Sequence, residues 1–136
     1  MDAAIETALA LTDDAPFAQR VVDITTRGAR SQQLRRIEIW FHNVDGEVYI
    51  TGTPGARSWY ANLLAHPEFT FHLKHEVQAD LPAKATAITD PQERTEVLSA
   101  IVDGIDAIYS GRASRPEFAP VEEWIDRSPL VRVNFN

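Results

Sequence analysis

The clearest feature of the sequence is a set of short segments in which hydrophobic and polar residues alternate or β-branched residues are concentrated. Alternation places successive side chains on opposite faces of a β-strand. Strands are predicted over residues 21–26, 35–42, 47–51, 68–74, 77–88 and 130–135. We expect Phe69, Phe71 and Leu73 to face inward, and Pro82 indicates an edge position or a bulge in its strand.

A hairpin is the most sharply defined local prediction. Residues 35–42 place apolar side chains on one face and Trp40 on the other. Residues 43–46 form a tight turn in which Gly46 permits a positive φ. Residues 47–51 are then expected to return as the partner strand.

Three further segments predict helices, over residues 2–11, 57–66 and 90–109. Asp2 is expected to cap the first helix, and Pro67 ends the second. Asp90 is expected to cap the third, with Pro91 in its first position. Hydrophobic residues recur at helical spacing in this third helix, at Val97, Ile101, Ile105 and Ile108, so that one face packs on the core.

The order of these elements excludes a parallel sheet, because too few helices are available as crossover connections. It predicts an α+β fold in which an antiparallel sheet forms a small barrel with flanking helices. The length of 136 residues fits one domain, residues 1–136, with residues 1–20 as an N-terminal helical extension.

Composition narrows the function. The chain has no cysteine, which excludes disulfides and thiolate nucleophiles. Its net charge of −7 argues against binding to nucleic acid. No apolar run approaches the ~20 residues of a membrane span, and the acidic N-terminus differs from a secretory signal. We therefore expect a soluble, cytoplasmic protein.

Positive charge is concentrated between Arg20 and Arg36, where five arginines accompany one acidic residue, Asp23. Such a patch is either a solvated surface or a local site for an anionic ligand on an otherwise acidic protein. The composition leaves both alternatives open.

The turn before the second helix is a candidate anion site. A helix start presents unpaired N–H groups and partial positive charge, which attract phosphate. Arg57 would add a bidentate donor, and Thr53 and Ser58 would add hydroxyl groups. The alternative is a simple strand-to-helix turn in which Ser58 caps the helix.

No hydrolytic or metal-binding motif is present in the sequence. His72 and His75 lie three residues apart at a strand end, so their side chains point to opposite faces and do not suit a metal pair. A reductase whose cofactor carries the chemistry needs few catalytic side chains, and this absence of motifs is consistent with one.

Three segments resemble the deazaflavin-dependent nitroreductases and quinone reductases. Residues 25–31 read Thr-Thr-x-Gly-x-Arg-Ser, and residues 59–67 read Trp-Tyr-x-Asn-Leu-x-Ala-x-Pro, the most specific match. Residues 124–131 read Trp-x-Asp-Arg-x-Pro-Leu-Val. The resemblance runs in the same order over roughly residues 20–134. Ala29, Gln32 and Pro54 depart from the family pattern, which commonly has a basic residue, Gly and Lys there.

The resemblance implies a split β-barrel, often dimeric, that binds coenzyme F420 with its anionic tail in a basic groove. Arg30, Ser31 and Arg35 would then hold the tail, and Trp40 and Tyr109 would face the substrate. The residues implied to line the deazaflavin and its phosphate are Thr51, Thr53, Ala56, Arg57, Ser58 and Trp59.

The activity implied is hydride transfer from reduced F420 to a small electrophilic acceptor: a quinone, an enone or a nitro compound. Thr53, Tyr109 or solvent would supply the proton. The departures from the family pattern leave flavin mononucleotide as an alternative cofactor. The alternative function is a carrier or sensor that holds a flavin, haem or lipid in the same barrel without turnover.

Overall fold

The computed structural model describes residues 1–12, 15–110 and 117–136. The helices in these residues are α1 (Ala3–Ala10), α2 (Ser58–Ala65), α3 (Pro91–Tyr109) and α4 (Val121–Arg127), with a 3₁₀ turn at Phe17–Arg20. The strands are β1 (Val21–Arg27), β2 (Leu34–Trp40), β3 (His42–Val44), β4 (Glu47–Thr51), β5 (Glu68–Lys74), β6 (Gln78–Ala87) and β7 (Leu130–Phe135).

The strands form one antiparallel sheet in the order β2-β1-β5-β6-β7-β4-β3. The outermost strands, β2 and β3, belong to one stretch of chain that is interrupted only at Phe41. Both edges of the sheet are thereby tied together, and the sheet curls into a half-barrel. Phe41 is fully buried, and its N–H donates to the Arg20 carbonyl at 2.9 Å. The antiparallel α+β prediction is confirmed.

The predicted hairpin is wrong in its extent. β2 pairs along its whole length with β1, with Ile24 opposite Ile37, rather than with β4. Only the three residues of β3 pair with β4, across a two-residue turn at Asp45 and Gly46, whose φ values are 52° and 87°. Alternation predicts that a segment is a strand, but it carries no information about which strand lies beside it. The positive φ predicted for Gly46 is confirmed.

Two hydrophobic clusters lie on opposite sides of the sheet. The cluster inside the half-barrel includes Phe69, Phe71 and Leu73, as predicted from their alternation. The other lies beneath α3 and α4 and is made of Tyr49, Ile88, Val97, Leu98, Ile101, Ile105, Trp124 and Leu130. The predicted inward face of α3 is confirmed at Val97, Ile101 and Ile105. The Asp90 cap is confirmed as well, since its carboxylate accepts from the Glu93 N–H at 2.9 Å.

Two elements differ from the sequence prediction. Pro82 lies in β6, which has β5 on one side and β7 on the other, so its strand is not an edge. The Pro82 carbonyl accepts from the Asn136 N–H, just beyond β7, so the missing proline N–H faces the place where β7 ends. Helix α4 was not predicted because seven residues are too few to show a helical period.

In the part of the chain that the model describes, no helix combines the length and the apolar character that a membrane crossing requires.

Candidate active site

A cavity of about 210 Å³ lies where the β2–β3 segment passes the end of β4 and helices α3 and α4. We call it the aromatic pocket. Its lining residues are Trp40, His42, Thr51, Gly52, Thr53, Ile105, Tyr109, Phe118 and Trp124. The structure thus brings together four residues that the resemblance implied for the cofactor or substrate: Trp40, Thr51, Thr53 and Tyr109.

His42, Phe118 and Trp124 were missed as pocket residues. Trp124 is buried, and its indole N–H donates to the Ala119 carbonyl at 3.1 Å. The Phe118 ring lies between the rings of Trp124 and Tyr109, with centroid separations of 6.2 and 6.1 Å. The signal in the sequence was Trp124, which begins the segment 124–131 that resembles the family.

Burial and the neighbouring charge of Arg20 lower the pKa of His42 to about 4. His42 is therefore neutral at pH 7, and the other lining residues of the aromatic pocket carry no ionisable group that is charged at that pH. A charged molecule would find no opposite charge in these walls, so the pocket suits an uncharged planar molecule.

The depressed pKa of His42 makes stability sensitive to acid. His42 binds a proton near pH 6.5 in the unfolded state but only near pH 4 in the folded state. The folded state therefore loses stability as pH falls between these values. We expect the free energy of unfolding to fall by roughly 1 kcal/mol per pH unit in this window. His42→Gln should flatten that part of the profile in urea titrations, and His75→Gln, at an exposed position, should not. An unaltered slope in His42→Gln would contradict the assignment.

The start of α2 has no side-chain cap. Ser58 is the first residue of the helix, and the N-cap residue, Arg57, forms no capping hydrogen bond. The alternative in which Ser58 caps the helix is therefore wrong. The first-turn N–H groups have no capping partner, and such groups attract an anion.

Arg57 is partly committed to its own turn. Its guanidinium donates to the Thr53 carbonyl at 3.0 Å, to the Thr53 hydroxyl at 2.6 Å and to the Ala56 carbonyl at 2.9 Å. Gly55, at φ 132°, leaves room for it, since a Cβ there would lie 3.1 Å from the Arg57 Nη1. Arg57 shapes the turn, and fewer of its N–H groups remain for a ligand than the sequence suggested.

The arginine-rich stretch divides into two groups. Arg20 donates to the Ala15 carbonyl, Arg27 donates to the Gln32 carbonyl, and Arg36 pairs with Asp23 at 2.9 Å. Arg30 and Arg35 are exposed, and the side chain of neither forms a hydrogen bond or ion pair with another residue of the described ranges. These two, which the resemblance assigned to the anionic tail, remain available for a ligand.

Asn62 fastens the turn that carries Arg30 to helix α2. Its carbonyl oxygen accepts from the Ala29 N–H at 2.9 Å, and its amide donates to the Thr26 hydroxyl at 3.1 Å. Arg35 lies directly opposite Thr26 in the β1–β2 ladder and so shares the face that looks toward α2. Because four helical residues rise about 6 Å, the Asn62 contact lies close to the uncapped start of α2.

A match to a protein family identifies the kind of protein that carries this site. The family model described as F420H(2)-dependent quinone reductase matches residues 12–121. The chain belongs to the F420H(2)-dependent quinone reductase family. It is therefore an F420-dependent oxidoreductase, as the resemblance implied. No protein with a curated description is significantly similar in sequence to this reductase.

Solved structures support the fold of the reductase. A conserved hypothetical protein from Mycobacterium tuberculosis is 18% identical over 100% of this chain and 81% of its own, with a TM-score of 0.66. An F420-H2 dependent reductase is 21% identical over 85% and 94%, with a TM-score of 0.55. An FAD-binding protein from Mesorhizobium loti is 11% identical over 100% and 91%, with a TM-score of 0.64. The predicted split β-barrel is confirmed.

The residues of the reductase fit the cofactor of its family. The uncapped start of α2 suits a phosphate, Arg30 and Arg35 suit an anionic tail, and the uncharged aromatic pocket suits planar rings. Gln32 adopts a φ of 62°, so the turn keeps the left-handed conformation that favours the glycine usual in this family. A Cβ at Gly28 would lie 2.3 Å from the Ser31 hydroxyl oxygen, so a larger residue there would force the Ser31 side chain to move.

Two residues assigned to the cofactor have other roles in the fold. The Trp59 side chain is buried in the core of the half-barrel, so only its backbone lies at the helix start. Thr51 is buried and donates its hydroxyl hydrogen to the Pro129 carbonyl at 2.5 Å. The Thr53 hydroxyl accepts from Arg57, which leaves its own hydrogen free to be donated into the pocket.

Proposed function

We propose that this protein reduces a quinone-type acceptor with reduced F420 in the aromatic pocket. Two features support this most strongly. The walls of the pocket, which include Trp40, Tyr109 and Trp124, are uncharged. The uncapped start of α2 is joined to the pocket residue Thr53 by the hydrogen bonds of Arg57. An uncharged planar acceptor fits the first feature, and the phosphate of the cofactor fits the second. Enones and nitro compounds share the planar, electrophilic character of quinones, and the test below distinguishes them.

Each part of the cofactor would have its own set of residues. Arg30, Ser31 and Arg35 would hold the anionic tail through charge-assisted and hydroxyl hydrogen bonds. The backbone of residues 56–59 would bind the phosphate, and Thr51 and Thr53 would lie along the ring. When bound, reduced F420 supplies the hydride.

The remaining task of the protein is to orient the acceptor and to supply a proton. Thr53 and Tyr109 carry hydroxyl groups in the pocket and would donate hydrogen bonds to an acceptor oxygen as negative charge develops there. Phe118 and Trp124 line the same pocket with apolar rings, and a less polar surrounding would strengthen those hydrogen bonds.

Fluorescence titration with F420 and with flavin mononucleotide, followed by steady-state reduction of menadione, an enone and a nitroaromatic compound, tests this function. We expect tight binding of F420 and turnover fastest with the quinone. Tyr109→Phe should lower kcat/KM by roughly ten- to a hundredfold without abolishing turnover, because a positioned donor is worth about 100- to 10,000-fold and water replaces it in part.

Trp40→Ala should change the ratio of kcat/KM between acceptors more than it changes F420 affinity, since its side chain lines the aromatic pocket proposed for the acceptor. Loss of F420 affinity with unchanged acceptor ratios would place Trp40 on the cofactor side instead. Tight binding with no turnover of any acceptor would overturn the proposed reductase function and favour a carrier.

A homodimer and a cytoplasmic location stay predictions. Edge strand β2 exposes apolar side chains, with Leu34 at 64% and Ile37 at 37% of their maximal accessible area, as strands that pair with a second copy often do.

A further inference from the structure

Three side chains form a hydrogen-bonded row on the outer face of the sheet, and none of them lines the aromatic pocket. The Thr25 Oγ1 and the His72 Nε2 are 2.7 Å apart, and the His72 Nδ1 lies 2.7 Å from the Asp80 Oδ1. We call these residues the threonine triad. Strands β1, β5 and β6 each contribute one member.

The strand register brings the threonine triad together. His72 lies directly opposite Asp80, and Thr25 lies two residues beyond Asp23, the partner of His72 on β1. Residues so placed share one face of an antiparallel sheet and are within reach of one another. Phe71, the neighbour of His72, fills the interior of the half-barrel, so His72 points outward. The bonded pairs are 47 and 8 positions apart, which is why no local motif indicates them.

The hydrogen bonds fix the roles of the two ring nitrogens. The hydrogen bond from His72 lowers the pKa of Asp80, so this carboxyl group is ionised at pH 7 and can only accept. The His72 Nδ1 must therefore carry a hydrogen. In the neutral ring the Nε2 then has a free lone pair, which accepts from the Thr25 hydroxyl. This is the arrangement in which a histidine acts as general base for a hydroxyl nucleophile.

The surroundings of the threonine triad leave room for a substrate. The side chain of His72 is only 9% exposed and so is sheltered from water, whereas that of Asp80 is 77% exposed. Thr25 is partly exposed. A depression of about 320 Å³ adjoins the triad at Asp80. Its lining residues are Arg36, Leu73, Lys74, Gln78, Ala79 and Asp80.

Arg36 supplies positive charge beside the Thr25 hydroxyl. It lies directly opposite Thr25 in the β1–β2 ladder, and it also lines the depression. Its Nε donates to the Asp23 carboxylate at 2.9 Å, and its two Nη groups form no hydrogen bond with another residue of the described ranges. Such N–H groups stabilise an oxygen that gains negative charge.

We propose that Thr25 is the nucleophile of a second active site, which hydrolyses small carboxylic esters with His72 as general base and Asp80 as the residue that orients it. This activity is separate from hydride transfer and does not depend on F420. The nucleophile, the base and the orienting carboxylate meet at hydrogen-bonding distance, as covalent catalysis by a hydroxyl group requires.

The reaction has two steps. The Thr25 Oγ1 bonds to the ester carbonyl carbon while its hydrogen passes to the His72 Nε2, and the carbonyl oxygen takes the negative charge beside Arg36. The bond to the leaving alcohol then breaks, and the alcohol takes the proton from His72. In the second step water gives a proton to the same nitrogen and attacks the acyl group. The carboxylic acid leaves, and the Thr25 hydroxyl recovers its hydrogen.

The test follows hydrolysis of p-nitrophenyl acetate by the protein without F420, through the release of coloured p-nitrophenolate. Thr25→Val removes the hydroxyl and keeps a branched side chain that suits a strand. Asp80→Asn removes the orienting charge at an exposed position. Thr70→Val is the matched control, because Thr70 lies directly opposite Thr25, is partly buried as well, and is not bonded to His72. Circular dichroism shows whether each variant folds.

We expect Thr25→Val to hydrolyse the ester at least about tenfold more slowly than wild type. A positioned base contributes about 100- to 10,000-fold, and slow attack by other surface groups sets the lower limit. Asp80→Asn should lose a similar factor, and Thr25→Ser should restore hydrolysis. Thr70→Val should match wild type. After an acid quench, mass spectrometry should find the acetyl group on the peptide that carries Thr25.

A rate of hydrolysis that is unchanged in Thr25→Val would overturn the inference. So would an acetyl group found on lysine or on another residue and not on Thr25. Neither result bears on the proposed reduction of quinones, because this assay contains no F420. If Thr25→Val does not fold, Asp80→Asn decides the question, and a wild-type rate in that variant would overturn the inference as well.

Discussion

Arg94→Ala should lower the free energy of unfolding by about 3 to 5 kcal/mol, because four backbone carbonyls lose their donor at once. The guanidinium of Arg94 donates to the carbonyls of Ile88 at 3.0 Å, Trp124 at 3.3 Å, Ile125 at 2.8 Å and Ser128 at 2.7 Å. These bonds join α3 to α4, to the residue that ends α4 and to the residue that follows β6. Urea unfolding followed by tryptophan fluorescence would measure the loss.

Two further variants serve as controls for Arg94→Ala. Arg94→Lys keeps the positive charge but concentrates it on one ammonium group, which cannot replace the fork of N–H donors. The variant should therefore lose most of the stability that Arg94→Ala loses. Arg36→Ala removes an exposed arginine that pairs with Asp23, and it should cost at most about 1 kcal/mol. If Arg94→Ala destabilised the protein no more than Arg36→Ala, the carbonyl cluster would not depend on this side chain.

Replacing Arg30 and Arg35 together by Ala should weaken F420 binding by more than tenfold. Charge-assisted hydrogen bonds to an anionic tail contribute about 1.5 to 3 kcal/mol each, and neither arginine is engaged by another residue of the described ranges. Wild-type affinity should also fall as salt is raised, and the double variant should respond less, because exposed charges are screened. Titration of F420 fluorescence at two salt concentrations measures both effects.

Arg27→Ala with Arg36→Ala is the matched control, since it removes the same charge from the same stretch of chain. Arg27 donates to the Gln32 carbonyl and Arg36 pairs with Asp23 on the other face of the sheet. This control pair should leave F420 affinity within about a factor of three, the size expected of a general loss of positive field. An equal loss of F420 affinity in both double variants would mean that net charge, and not these two positions, causes the effect. An unchanged F420 affinity in Arg30→Ala with Arg35→Ala would place the cofactor elsewhere.

The sequence by itself determined the elements whose signals are local. The alternation in residues 68–74, the periodicity of α3 and the Asp90 cap depend on side-chain order and on hydrogen bonds within a few residues, so the sequence alone predicts them. The segment that reads Trp-Tyr-x-Asn-Leu indicated the family because its residues resemble that family's sequence pattern. The physical basis of this pattern is the burial of Trp59 and the hydrogen bonds of Asn62, which the sequence alone did not show.

Only the tertiary structure decided which strands are neighbours and which side chains share a cavity. The buried Phe41 separates β2, which pairs with β1, from β3, which pairs with β4. Pairing joins residues far apart in the chain, so local alternation cannot encode it. Likewise His42 and Trp124 meet in the aromatic pocket only when α4 packs under the sheet. The low pKa of His42 follows from that burial, because desolvation is a property of the folded surroundings and not of the residue.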